Sequence, residues 1–403
     1  MKWKFWLDKG GTFTDLIGLN SDGEYVFKKV ISGKNDQLED SGVIAIKEAL
    51  GLCKESQIPD GIISEVRLGT TIALNTLLEG KGDPVILFCN KGMKDLLKIG
   101  NQQRNDLFAL NLTTQKFIPQ CVIEVSGRIN PKGVEKKKMI LNNQLKKDVL
   151  QHLGKKNIAC AINFMHSYKN PKHEIILKRW LKGLGFKNII CSHEIGFYPR
   201  IVPRGQTTLI EASISKPFFD YLKSFKKNLG KDVKIGVMGS SGNLIKPDLL
   251  KAKDTILSGP AGGMIAANFI SKQVGLIDIP IVGIDMGGTS TDVFCIPPNQ
   301  GEYWERDRET IVRDQKIIAK RLPIHTIAAG GGSIIFQKNE RLQVGPNSAS
   351  SNPGPACYGL NGPLTITDAN LILGRIQPEF FPKLFGPSGE DSLNISITEK
   401  KFK

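Results

Sequence analysis

The chain has 403 residues, 40% hydrophobic and 23% charged, an ordinary globular balance with length for two or three domains and a sizeable core. No run of 18 apolar residues occurs, which excludes a transmembrane helix. The apolar stretch after Lys2 and Lys4 is too short for a signal peptide, so the cytoplasm is the expected compartment. The 55 basic and 39 acidic residues give a formal net charge of +16, but the lysines are dispersed and lack interleaved aromatics. That charge favours solubility and a positive field for substrate phosphates, not nucleic acid as a partner.

In chain order, residues 1–31 read as three short strands, Trp3–Leu7, Thr14–Leu19 and Glu24–Ile31, with Ser21-Asp22-Gly23 as the second turn. Helical spacing of Leu38, Val43, Ile44, Ile46, Ala49 and Leu50 predicts a helix over Asp36–Leu50, stopped by Gly51. A strand at Glu65–Leu68 runs through Gly69-Thr70-Thr71 into a helix, and Pro84–Cys89 reads as a buried strand. Further on, helices are expected at Asn142–Leu153 and Pro171–Leu184, and strands at Ile158–Phe164 and Asn188–Ser192. Asn170-Pro171 supplies a cap and then proline at the first helical position. A seam is expected near Tyr198-Pro199 and Pro203-Arg204, followed by a long helix over Thr207–Leu229 that is imperfect around Pro217. A strand at Val233–Met238, a helix opening at Ser258-Gly259-Pro260, the glycine stretch 325–336, the loop 344–359 and a helix from Thr367 complete the reading. Residues 388–403 are polar and Lys-rich, and read either as a disordered tail or as a domain cut short.

One pattern occurs twice. Residues 8–15 read DKGGTFTD and residues 285–292 read DMGGTSTD, each between two apolar runs. Each copy predicts a strand, a tight glycine turn and a second strand. Bare glycines let backbone N–H groups close on an anion. Threonine hydroxyls add donors, and aspartates hold a cation directly or through water. Two such units predict two similar half-domains facing a shared phosphate and magnesium cleft.

The landmarks LGTTIALNTLLEGKG, IGNQQR, IVPRGQTTLIEA, LSGPAGG, GIDMGGTSTDV, HTIAAGGGSI and VGPNSASSNPGPACYG, in this order, resemble the N-terminal portion of the hydantoinase A/oxoprolinase family, most of all its ATP-hydrolysing 5-oxoprolinase branch. IGNQQR and LFGPSGED favour that branch. The resemblance implies an α/β, actin-like ATPase (ribonuclease H-like) fold of two lobes with mixed sheets, the second open at its C-terminal end. The lobes are expected at 1–200 and 201–403. It implies ATP and Mg²⁺ as cofactors. Asp8, Gly10, Gly11, Thr12 and Thr14 would form one phosphate loop, and Asp285, Gly287, Gly288, Thr289 and Thr291 the other. Asp8 and Asp285 would organise the metal, and Gly330, Gly331, Gly332 and Ser333 would lie on the adenosine side.

The implied reaction is ATP-dependent opening of 5-oxoproline or a related cyclic amide. The implied partner is a hydantoinase B-like subunit or C-terminal half, and association into oligomers is expected of an open lobe. A hydantoinase or ketone carboxylase subunit, and an inactive nucleotide-binding remnant, are the alternative readings. Cys357 has no base nearby in sequence and reads as structural. His166 and His173 lack the i,i+4 spacing of a metal pair and read as capping or pocket residues. Arg104 and Arg204 could fork a substrate carboxylate, against the plainer reading of exposed surface arginines.

Overall fold

The computed structural model describes residues 2–11, 13–32, 40–53, 55–101, 119–154, 157–298, 308–312 and 315–403. The chain opens with β1 (Trp3–Lys9), β2 (Phe13–Leu19) and β3 (Tyr25–Ile31), an antiparallel meander. A helix, Ser41–Ala49, follows, capped by Asp40, whose side chain accepts from Gly42 N–H. Then comes β4 (Ile63–Thr70), parallel to β1, and the helix Ile72–Leu78. β5 (Val85–Asn90), β6 (Cys121–Ile129), β7 (Glu135–Ile140), β8 (Ala159–Asn163) and β9 (Asn188–Cys191) form a second sheet in the order β7-β6-β5-β8-β9, parallel except for β7.

The expected helix at Thr207 begins six residues earlier and runs Ile201–Asn228. Pro203 lies in its first turn, where a missing N–H breaks no helical bond, so it does not delay the start. Pro217 lies inside the helix and does have a consequence. The Ser213 carbonyl, which residue 217 would otherwise bond, accepts instead from Asp83 N–H at 2.8 Å, and the Ser213 hydroxyl donates to Asp83 O at 2.9 Å. The helix is buried through most of its first four turns. Its hydroxyls are satisfied locally, Thr207 to Pro203 O and Thr208 to Arg204 O, both 2.7 Å. Val202, Leu209 and Ala212 pack on Val85, Leu87, Ala159 and Ala161 of the second sheet. Ile214, Phe218, Leu222 and Phe225 pack on Phe5, Leu7, Val66 and Leu68 of the first.

The chain then returns to the first sheet. β10 (Lys234–Met238) pairs parallel with β4, and β11 (Leu244–Ile245) lies outside it, giving the order β11-β10-β4-β1-β2-β3. The helix Ser258–Gln273 leads to β12 (Ile281–Met286) and β13 (Thr291–Ile296). β14 (Thr310–Val312) and β15 (Gln315–Ile317) make a small ribbon. β16 (Ile324–Ile327) adds to β13, so the third sheet is β12-β13-β16, all antiparallel. Phe294, Ile296 and Ile324 on one face pack under the Ser258–Gln273 helix with Ala261 and Met264. The hairpin of β17 (Ser333–Lys338) and β18 (Arg341–Ser348) precedes the helix Ile366–Ile372.

The C-terminal stretch is packed against the rest of the chain and not a loose tail. Residues Ile395–Phe402 form a helix capped by Asn394. Asn394 N–H donates to Cys357 O at 2.8 Å, and the buried Thr398 hydroxyl reaches Asp368 at 3.2 Å. These tertiary bonds, together with buried Leu393, seat a segment whose composition alone suggests disorder.

Candidate nucleotide cleft

The two repeated stretches fold alike, down to single hydrogen bonds. In the first hairpin Gly10 N–H donates to Phe13 O at 3.0 Å, and in the second Gly287 N–H donates to Ser290 O at 2.9 Å. A Cβ on Gly10 would stand 3.1 Å from Phe13 O, and one on Gly287 would stand 3.3 Å from Ser290 O, so both turns are tight enough to favour glycine. Asp8 pairs across its hairpin with Asp15, and Asp285 with Asp292.

Two of these aspartates are shifted by their surroundings. Although Asp8 keeps solvent-exposed surface, partial desolvation by surrounding atoms raises its carboxyl above the ordinary range, and the charges of Asp15 and Asp285 raise it further, against the pull of Lys29. The contribution of Asp285, 277 positions away in sequence, brings the two hairpins within electrostatic range of each other. Asp292 is raised by burial and by Asp285, while a 2.6 Å bond from Thr326 opposes the shift. Carboxylates held in mutual repulsion suit a cation between them, although among the described residues no three of these aspartates converge tightly enough to form a closed ligand set.

Other elements frame the cleft. Ser258, at the start of its helix, donates to Thr70 O at the end of β4 (2.9 Å), tying the halves together. A Cβ on Gly263 in the same helix would lie 3.6 Å from Asp285 Oδ2. Asn75 Nδ2 would lie 3.8 Å from a Cβ on Gly11 and donates to Thr71 Oγ1 at 3.2 Å. Phe13 packs edge-on against Phe385, ring centres 6.4 Å apart, so the C-terminal cluster reaches the first hairpin.

The third glycine stretch rests on the second hairpin. Gly331 N–H donates to Gly287 O at 2.9 Å and Gly332 N–H to Gly288 O at 2.6 Å. A Cβ on Gly330 would stand 2.6 Å from Gly287 O and 2.8 Å from both Gly288 C and Ser290 N. The close approach seen here is backbone on backbone. The buried Ser333 hydroxyl accepts Gly330 N–H at 3.0 Å and holds the loop's shape.

Gly11, Asp285, Gly287, Gly288 and Thr289 are open to solvent at the hairpin tips. Thr12 lies outside the described residues, as does Arg104. Thr14 needs correction as a phosphate ligand. It is fully buried, with its hydroxyl bonded to Ser32 Oγ at 2.7 Å and Ser41 Oγ at 2.8 Å, because β2 alternates and Thr14 shares its inward face with Leu16. The Thr291 hydroxyl donates to Ala329 O at 2.5 Å, bracing the third glycine stretch. Asp15 and Asp292 lie opposite Asp8 and Asp285, because the last Asp of each repeat falls across from the first in a two-strand hairpin.

Arg204 is neither a surface arginine nor a carboxylate fork. It is fully buried, donating to Ser192 Oγ at 3.0 Å, Phe164 O at 2.8 Å, Pro199 O at 3.3 Å and Tyr198 O. Ser192 passes the contact to buried Glu174 at 2.6 Å, so the guanidinium fastens the long helix to the second sheet. Glu174 also meets His193 Nδ1 at 2.6 Å. His173 bonds Glu135 at 2.6 Å and does not join His166 in a metal pair. Cys357 is fully buried beside Asp368. Burial and that carboxylate push its thiol far above the ordinary range, so no nucleophilic thiolate forms there.

Duplicated glycine hairpins, one on a mixed sheet and one on an antiparallel sheet, define an α/β protein built around a repeated strand–turn–strand unit. The chain belongs to the hydantoinase/oxoprolinase family. The family's N-terminal-region model matches residues 4–185, and its hydantoinase/oxoprolinase model matches residues 204–403. The chain is 36% identical to a 5-oxoprolinase of Dictyostelium discoideum over 99% of its own length and 35% of that protein. It is 36% identical to 5-oxoprolinase 1 of Arabidopsis thaliana, covering 100% of this chain and 34% of the other. It is 30% identical to the caprolactamase subunit alpha of Pseudomonas jessenii over 93% of this chain and 55% of that one. Thus the chain spans about a third of the 5-oxoprolinases it matches. Two solved structures share the fold over 99% of this chain and 58% of theirs. They are the nucleotide-free acetone carboxylase (TM-score 0.74, 22% identity) and the ATP-dependent caprolactamase of Pseudomonas jessenii (TM-score 0.73, 28% identity). Among the described residues no helix is long and apolar enough to cross a membrane.

Proposed function

We propose that this chain is the ATP-binding and phosphorylating half of an ATP-dependent cyclic amide hydrolase whose substrate is 5-oxoproline. The observation that carries the reading is the pair of hairpins matched in sequence, register and turn hydrogen bond, with Asp285 near enough to add to the Asp8 shift. The names of the 36%-identical 5-oxoprolinases support the substrate class. An unstrained lactam resists water because its carbonyl is a poor electrophile and its nitrogen a poor leaving group. Transfer of the ATP γ-phosphoryl group to the lactam oxygen releases ADP and turns that oxygen into a leaving group. Water then adds to the carbon, the C–N bond breaks as the nitrogen takes a proton, and the acyl phosphate left behind is cleaved by a second water to glutamate and phosphate.

Such a transfer needs positioning and charge neutralisation above all. Gly10 and Gly287 close the two turns with their own N–H groups, and Gly11, Gly288 and Thr289, open to solvent at the tips, would receive the phosphates. Asp8 and Asp285 would hold Mg²⁺, which supplies charge neutralisation when bound. The same reading assigns ring opening to a hydantoinase B-like partner or C-terminal half.

The test is calorimetric titration of Mg-ATP into the parent chain and into Asp8→Ala and Asp285→Ala, with glutamate formation followed in parallel. Both variants should bind at least about tenfold more weakly, as expected for a charged ligand contact worth more than 1.4 kcal/mol. The chain alone should form glutamate only when the partner half is added. Parent-like binding by both variants, or robust turnover by the chain alone, would overturn this division of labour.

A further inference from the structure

The second sheet carries polar groups that the hairpins do not use. Its central strand, β5, lies between β6 and β8. The chain leaves β5 for β6 and β7 on one side, then crosses to β8 and β9 on the other. Such a reversal of winding opens a crevice outside the carboxyl ends of the parallel strands, where open α/β sheets bind ligands. Asn90 ends β5 and Asn163 ends β8. Arg128 is next to last in β6, and His166 follows closely on β8.

Buried Asn90 has both ends of its amide committed. Its Nδ2 donates to Gly127 O at 3.0 Å, and its Oδ1 accepts Met165 N–H at 2.7 Å. One side chain thus holds the immediate neighbours of Arg128 and His166 side by side. Arg128 reaches the Met93 sulfur at 3.9 Å and, among the described residues, pairs with no carboxylate. His166 stands in the left-handed region at φ 57°, a strained conformation for a residue other than glycine. Its Nδ1 is buried without a hydrogen-bond partner. Asn163, 2% exposed, donates from Nδ2 to Ile201 O at 3.2 Å and leaves its own Oδ1 unpartnered. The Tyr168 ring lies 6.2 Å from the His166 ring, with the Arg204 guanidinium 5.6 Å over it. Burial, and then the charges of Arg128 and Arg204, hold the His166 imidazole below its ordinary range. The crevice therefore combines a positive field with a neutral imidazole at neutral pH.

We propose that this crevice binds a small carboxylate whose α-carbon bears an N–H, the carboxylate forking onto Arg128 and the N–H donating to His166 Nδ1. An arginine without a carboxylate partner suits a planar bidentate anion. A buried nitrogen without a partner gains most from a donor on the ligand. Two molecules of the reaction proposed above have this chemistry, 5-oxoproline and glutamate, and the inference rests on that reading for the choice of these probes. It also places a substrate-type carboxylate on Arg128, where neither buried Arg204 nor the sequence pattern put it.

The test is equilibrium dialysis of radiolabelled 5-oxoproline and of radiolabelled glutamate against the 403-residue chain, without nucleotide. The competitors are pyrrolidone, which lacks the carboxylate, and the lactone analogue of 5-oxoproline, which lacks the N–H. Pyrrolidone should compete at least about tenfold more weakly, as expected for a lost charged hydrogen bond, and the lactone about two- to tenfold more weakly. Arg128→Ala should bind at least about tenfold more weakly and lose the discrimination against pyrrolidone. His166→Asn, which tolerates the left-handed backbone, should lose the preference for lactam over lactone. If circular dichroism shows Arg128→Ala unfolded, Arg128→Lys takes its place, since it keeps the charge and loses the fork; it too should discriminate less than the parent. Binding of 5-oxoproline alone makes this a substrate site and binding of glutamate alone a product site, and either supports the proposal. No saturable binding of either at millimolar concentration overturns it, as does an Arg128 variant that binds and discriminates like the parent. Mg-ATP titration separates the two readings. Carboxylate binding without nucleotide binding would sink the ATP reading and leave the crevice standing, and the reverse result would sink the crevice alone.

Discussion

Replacing Gly330 by alanine tests the join between the third glycine stretch and the second hairpin. The added Cβ would meet three backbone atoms, Gly287 O at 2.6 Å and Gly288 C and Ser290 N at 2.8 Å. None can swing aside as a side chain would. Ordinary contact begins near 3.4 Å, so the loop must retreat by about 0.8 Å, the shortfall between 3.4 and 2.6 Å. Retreat strains the Gly331–Gly287 and Gly332–Gly288 hydrogen bonds, now 2.9 and 2.6 Å. Overpacking costs about 1–3 kcal/mol, and each of the two lost bonds about 0.5–1.5 kcal/mol, for a destabilisation of roughly 2–6 kcal/mol. The assay is urea unfolding together with calorimetric Mg-ATP titration, where binding should weaken because the second hairpin is displaced. Gly259→Ala is the reference: nothing lies within 4 Å of its added Cβ, so it should stay within about 0.5 kcal/mol of the parent. If Gly330→Ala unfolds and binds like Gly259→Ala, the backbone packing is not what requires glycine there.

Two other outcomes follow from the charges and thiols. Because the folded-state carboxyls of Asp8 and Asp292 are raised, their contribution favours the fold at low pH and is lost as pH rises from the ordinary value of 3.8 through the raised ones. Asp8→Asn should flatten that decline in urea midpoint between about pH 4 and 7, while weakening Mg-ATP binding at neutral pH. A parent midpoint that rises over this window, with no difference in the variant, would refute the crowding of Asp8. Iodoacetamide at neutral pH should label exposed Cys53 and Cys295 and spare Cys357, whose thiol is buried and held protonated; peptide mass spectrometry showing Cys357 among the first labelled sites would contradict this.

The hairpins were legible because their information is local. Glycine turn, flanking apolar runs and opposed aspartates all lie within eight residues, and the repeat supplies its own control. Thr14 was misassigned although alternation with buried Leu16 and Gly18 in β2 places it on the inward face. Arg204 escaped because its partners, Phe164, Ser192 and Tyr198, come from other elements, and no local pattern signals a buried guanidinium. The C-terminal helix was hidden for the same reason. Asp368 accepts from Ala356 N–H, Cys357 N–H, Thr365 and Thr398, and this set exists only once the fold has gathered it.

The Ile201–Asn228 helix bears on how such a protein can be taken apart. The family's two models meet in the interval between residues 185 and 204, yet the helix that begins there fills the core of both earlier sheets, and β10 beyond it completes the first. A gene cut at residue 200 would leave the upstream product without Phe218, Leu222 and Phe225, and its sheet without an interior strand. The two matched segments are therefore not units of folding. Recombination that exchanges one must keep the other's interface, and chimaeras between relatives should tolerate a crossover after β11 far better than one ahead of the helix.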